Sequence, residues 1–249
     1  VGEYQYYGFL AVDRPLGLAE QRAVRALSSR AEITATTFAN EYHWGDFKGD
    51  PAELMSRYYD AHVHITDWGD HRVMLRLPDT AVDAAVIDDH RVDDFVDAWV
   101  VGGFAVFDFQ ITDEDREILT HDPGGWLPAI AGIRLELAAG DLRPLYLAWL
   151  AAYGTWERNE DAFTPSAENE VEPPVPPGLA TLTAPQRALS TLLRLDPTLL
   201  ATASQPNATP SRRRTVGALL DTTAHRRTRG RAAVIPTAGA GVEGRVAPA

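Results

Sequence analysis

The sequence predicts an α+β fold: an antiparallel sheet of hairpins with two N-terminal helices, then a helical hairpin, a Pro-rich linker and a disordered basic tail. Three observations carry this expectation. Strand-like runs crowd the first half and helical periodicity takes over from Trp126, so the two kinds of element are segregated rather than alternating. Two turn signals, Trp68-Gly69-Asp70 and Gly102-Gly103, sit between alternating apolar runs. A run of four prolines, Glu172-Pro173-Pro174-Val175-Pro176-Pro177-Gly178, marks a semi-extended spacer. The implied segments are an α+β domain over 1–154, an acidic and Pro-rich linker over 155–178, a small helical segment over 179–205 and a basic tail over 206–249.

The elements follow in order. Tyr4 to Val12 is aromatic and β-branched, hence a strand, and Asp13-Arg14-Pro15 ends it. Leu18 to Arg30 has helical composition, with Ala23, Val24 and Leu27 at helical spacing. Ile33 to Tyr42 reads as a second strand, and His43 to Gly49 as a loop. Asp50 caps a short helix with Pro51 at its first position and Glu53 at its third. Val63 and Ile65 then alternate with polar residues, as do Val73, Leu75 and Leu77. Both sets must face the core, because a slip of one residue would turn a whole set to water. A three-residue turn at Trp68-Gly69-Asp70 satisfies this and sets His62 opposite Arg76 and His64 opposite Met74. Gly102-Gly103 pairs Val101 with Phe104. Gly140-Asp141 separates two apolar helical stripes, Leu127 to Leu137 and Leu142 to Leu150. Thr183 with Gln186 forms a capping box, and Asp196-Pro197 opens a last short helix.

Composition excludes several functions. The 249 residues contain no cysteine, which removes disulfides, thiolate metal sites and cysteine nucleophiles and fits a reducing, cytoplasmic setting. No apolar run approaches the ~18 residues of a membrane span, and no leader pattern opens the chain. Residues 212–245 hold eight arginines against Asp221 and Glu243, so the rest of the chain carries −18 of the overall −12. Such a body repels phosphate backbones, which argues against nucleic-acid binding by the folded part; the basic tail stays open. Lys48 is the only lysine, an arginine bias that marks a GC-rich origin rather than arginine chemistry. Dinucleotide, Walker and nucleophile-elbow motifs are absent.

Three groups of residues could carry chemistry. Asp60-Ala61-His62-Val63-His64 places two imidazoles on one strand face, a spacing suited to a divalent metal. The run resembles the Asp-x-His-x-His opening of the amidohydrolase superfamily, and that resemblance implies a metal-dependent hydrolase. It also implies a closed parallel barrel, which the α+β pattern does not supply. Of the other histidines only His90 and His121 are placed to complete such a site, and arginines beside the imidazoles oppose a dication. The alternative is two polar residues on the wetter face of the sheet. The second group is Asp97 and Asp108, which the Gly-Gly turn sets face to face. They form either an acid–base or metal pair, or a solvated edge.

The third group is the loop Glu41 to Asp50. His43 and Lys48 could hold an anion while Trp44 stacks on a ring. Alternatively Trp44 and Phe47 pin the loop to the core, and Asp46 or Asp50 merely caps the next helix. Neither a cofactor nor a complete catalytic set is legible. The leading expectation is therefore a non-enzymatic interaction or adaptor protein with a protein partner, its aromatic Tyr4, Tyr6, Tyr7 and Phe9 marking either a partner surface or core. A divalent-metal hydrolase using Asp60, His62 and His64, with Asp97 and Asp108, is the first alternative. A small anion-binding domain at His43, Trp44 and Lys48 is the second.

A longer resemblance spans most of residues 4–203. Tyr6 to Leu16, Asn40 to Asp50, Met74 to Pro78, Ala139 to Leu150 and Glu172 to Leu179 resemble an uncharacterised family of actinobacterial proteins. The resemblance implies a cytoplasmic protein and no particular activity. It also implies a long Arg/Glu/Ala-rich helix after Thr215-Val216-Gly217, where this chain turns instead to Arg, Thr, Gly and Pro, as a truncated or frame-shifted end would.

Overall fold

A computed structural model describes residues 4–112, 123–155, 164–205 and 213–233. Seven strands form one antiparallel sheet: β1 (Gln5–Leu10), β2 (Glu32–Ile33), β3 (Thr37–Tyr42), β4 (Ala61–Thr66), β5 (Asp70–Pro78), β6 (Val96–Val101) and β7 (Phe104–Thr112). Their order across the sheet is β2-β3-β1-β4-β5-β7-β6. Helices α1 (Leu18–Leu27), α2 (Pro51–Arg57) and α3 (Ala84–Asp89) interrupt the strands. Helices α4 (Trp126–Ala138), α5 (Arg143–Gly154), α6 (Ala184–Leu192), α7 (Pro197–Ala203) and α8 (Val216–Ala233) follow them. The fold is α+β.

Both faces of the sheet are covered, by different layers. Phe9, Phe38, Met74 and Val106 meet Val24 of α1, Leu54 and Met55 of α2, and Phe47 from the loop after β3. On the other face Val63, Ile65, Val73, Leu75, Phe107 and Phe109 pack with the helical residues that follow, among them Ile130, Ile133, Leu147 and Trp149. Period-two alternation sends consecutive strand residues to these two layers. The caps hold as the sequence predicts. Asp50 accepts from the Ala52 amide at 2.8 Å, and Thr183 and Gln186 close their reciprocal box. Gly102 and Gly103, at φ 59° and 82°, form the tight β6–β7 turn and bring Val101 opposite Phe104.

The first hairpin differs by two residues from its predicted register. His62 lies opposite Met74 and His64 opposite Arg72. Thr66 Oγ1 accepts from the Asp70 amide at 2.8 Å and Trp68 Nε1 donates to Asp70 at 2.7 Å, which moves the bend one residue earlier. A shift of two keeps every side chain on its face, so hydrophobic alternation cannot detect it. The predicted strand from Ile33 is also split, with Thr34 and Thr37 bonded across a turn between β2 and β3.

The largest correction concerns the C-terminal third. The Pro-rich segment is not a free spacer, since Glu172 is 1% exposed and Pro173 is buried. Glu172 accepts from Arg214 at 2.6 and 2.9 Å and from the Tyr146 hydroxyl at 2.5 Å. Its amide donates to the Arg214 carbonyl, and the Val216 amide donates to that of Glu170, each at 2.9 Å. Within the expected basic tail, residues 213–233 are described and carry α8. Val216, Leu219 and Thr223 bury one stripe of α8. Leu189, Leu192 and Leu199 share one apolar cluster with the sheet, so residues 179–205 are part of the main core.

Candidate functional site

Asp60, His62 and His64 lie on one face of the sheet, and each is already bonded within the fold: Asp60 to β5 and the chain after β1, and both histidines to β1. Asp60, 1% exposed, accepts from the Val12 and Asp13 amides at 2.6 and 2.9 Å and from Arg76 at 2.7 and 3.0 Å. Burial alone would raise its carboxyl pKa; the Asp13 amide, Arg76 and the Val12 amide outweigh it and hold the group below the usual range. His62 is fully buried, not on a wet face. Its Nδ1 bonds the Gly8 carbonyl at 2.8 Å and its ring stacks on Phe9 at 4.0 Å. Desolvation, followed by the neighbouring His64, pushes its pKa well down and keeps it neutral.

His64 stacks on Tyr7 at 4.2 Å and reaches Gln5 Oε1 at 3.4 Å. Among the described residues no three His, Asp or Glu side chains gather as a metal set, and His121 lies outside those residues. His90 has its Nδ1 on the Val86 carbonyl at 2.7 Å, elsewhere in the fold.

Asp97 and Asp108 do stand opposite each other, as the turn predicts. Each has its own arginine. Arg72 grips Asp108 through two bonds of 2.6 and 2.8 Å, and Arg91 pairs with Asp97. The repulsion that would force a shared proton is thereby neutralised.

The loop after β3 divides its residues between support and surface. Phe47 is the anchor, packing against Tyr7, Phe9 and Phe38. Asp50 caps α2, and Asp46 accepts from Gln5 Nε2 at 2.7 Å. Gly45, at φ 74°, supplies the left-handed bend that only glycine adopts without strain. Trp44 is not an anchor: it is 77% exposed. His43 leans on Tyr4, ring centroids 5.4 Å apart.

Trp44, Asp46 and Lys48 line a cleft of about 360 Å³. The opposite wall is the C-terminal end of α1, with Arg25, Ser28 and Arg30, and Tyr42 of β3 completes it. His43 is not among the lining residues. Three cations face one carboxylate here. Arg25 is fixed through Nη1 to the carbonyls of Ser28 and Ser29, each at 3.5 Å, and of Ala31. Arg30 and Lys48 have no partner among the described residues. Sequence reasoning found Trp44 and Lys48 but not Arg25, Ser28 or Arg30. Nothing local marks them, because β3 pairing with β1 brings the loop back to the end of α1.

Other exposed apolar side chains, such as Leu18, Val100 and Leu135, sit on separate elements, α1, β6 and α4. Among the described residues no helix is long and apolar enough to cross a membrane. Comparison with family models, curated proteins and solved structures finds no match.

Proposed function

We propose that the protein is a non-enzymatic binding module that recognises a small anion in the cleft between the end of α1 and the loop after β3. The observation that carries this is the convergence of Arg25, Arg30 and Lys48 on one concavity of a strongly acidic chain. Mutual repulsion among these three like charges is relieved when an anion sits between them, and their local positive field opposes that of the acidic chain around them. The volume lies in the range of small-ligand clefts rather than flat protein interfaces. The arginines can bond an anion in a planar fork, and Lys48 adds a point charge.

The metal-hydrolase alternative would require Asp60 to give up four hydrogen bonds and His62 to reach solvent. Titration of the full chain with inorganic pyrophosphate, followed by calorimetry, tests the proposal. Binding should weaken as salt rises, and Arg30→Ala and Lys48→Ala should each cost about tenfold, the scale of one charged hydrogen bond. Absence of heat in the wild type at millimolar pyrophosphate would reject it.

A further inference from the structure

Building on that reading, we infer that the cleft takes a nucleoside monophosphate, with its phosphate held by the cations and the Ser28 hydroxyl and its base stacked on Trp44. The Ser28 hydroxyl is the new element. Ser28 lines the cleft yet is only 7% exposed. Its Oγ accepts from Asn40 Nδ2 at 3.1 Å and from the Tyr42 hydroxyl at 3.3 Å. A serine oxygen has two acceptor positions and one proton to donate. Both acceptor positions are used, so its remaining capacity is that single O–H donor. A buried hydroxyl left with donor capacity matches an oxyanion and not a cation.

The other groups narrow the class. Three cations around one small cleft match a dianion better than a single carboxylate. Trp44 offers an exposed indole on the same cleft, and a flat ring stacked there removes apolar surface from water at little ordering cost. Asp46, the one carboxylate in the lining, would repel a bare anion. It is suited to accept from hydroxyl groups such as those of a ribose, because Gln5 occupies its Oδ1 and leaves Oδ2 available. A phosphate, a polyhydroxylated middle and an aromatic ring together describe a nucleoside monophosphate.

The test is calorimetry of the full chain with AMP, ribose 5-phosphate and inorganic pyrophosphate. AMP should bind at least about tenfold tighter than ribose 5-phosphate, the gain expected of one stacked base. Trp44→Ala should bring the ratio of the two affinities close to one. Ser28→Ala should weaken both sugar phosphates about fivefold; circular dichroism and a melting curve would show that the variant is folded. Equal affinity for AMP and ribose 5-phosphate, with pyrophosphate still bound, would overturn the stacking inference and leave the anion reading intact. No binding of any of the three would overturn both.

Discussion

The buried polar layer around Asp60 and the open cleft around Lys48 are built from the same kinds of group and do opposite things with them. In the layer Asp60 meets Arg76 and two backbone amides, and Asp108 meets Arg72. In the cleft Arg30 and Lys48 have no partner among the described residues, and Trp44 is exposed. The comparison separates residue type from residue role. The arrangement that looked most catalytic in the chain, Asp60-Ala61-His62-Val63-His64, is consumed in holding β1, β4 and β5 together. The residues left with unused capacity sit on a loop and a helix end, where binding groups usually lie.

The contrast is broken most severely by Asp60→Ala. It strands Arg76 in the interior and should cost about 3–5 kcal/mol in urea unfolding, the usual effect of halving a buried pair. Next comes acid. Burial lowers the His64 pKa to about 4 from 6.5; Asp70 opposes the shift, and Arg72 and then His71 add to it. The unfolded chain takes up this proton first, so the contribution of His64 is whole above pH 6.5 and disappears as the pH falls toward 4. The His64 share of the decline should be roughly 3 kcal/mol across that window; His62 and His90, whose pKa values are also lowered, add to it, so His64→Gln should make the profile shallower without abolishing it.

Asp97→Asn removes the charge of an exposed partner of Arg91, while its side-chain oxygen can still accept from the Ala98 amide, and should change stability by about 0.5 kcal/mol. Smallest of all are Trp44→Ala and Lys48→Ala, which should leave the unfolding free energy within about 0.5 kcal/mol of wild type. A loss as large as that of Asp60→Ala at either position would mean that the cleft is part of the scaffold and would erase the distinction.

Legibility in the sequence tracks the range of the interaction. Asp50-Pro51, Thr183 with Gln186 and Gly102-Gly103 each announce their geometry within four residues, and each is found in place. The first hairpin obeyed its parity but not its register, because Thr66 and Asp70 set the bend through side-chain bonds that alternation does not encode. The cleft was half legible. Its loop is conspicuous in composition, whereas Arg25, Ser28 and Arg30 come from the end of α1, which packs on the same face of the sheet. Helix α8 escaped because its buried stripe of Val216, Leu219 and Thr223 ends in a threonine and is flanked by arginines, which dilutes the apolar period.

The clasp of Glu172 by Arg214 has a consequence for how the molecule is made. During synthesis the carboxylate emerges well before its guanidinium partner, so the helical layer cannot close over Tyr146 until residues 214–216 have left the ribosome. The sheet and its first layer are free to assemble earlier. A protein shortened to end before Arg214 would leave Glu172 buried without its guanidinium, and its helical layer should be markedly less stable than that of the longer chain.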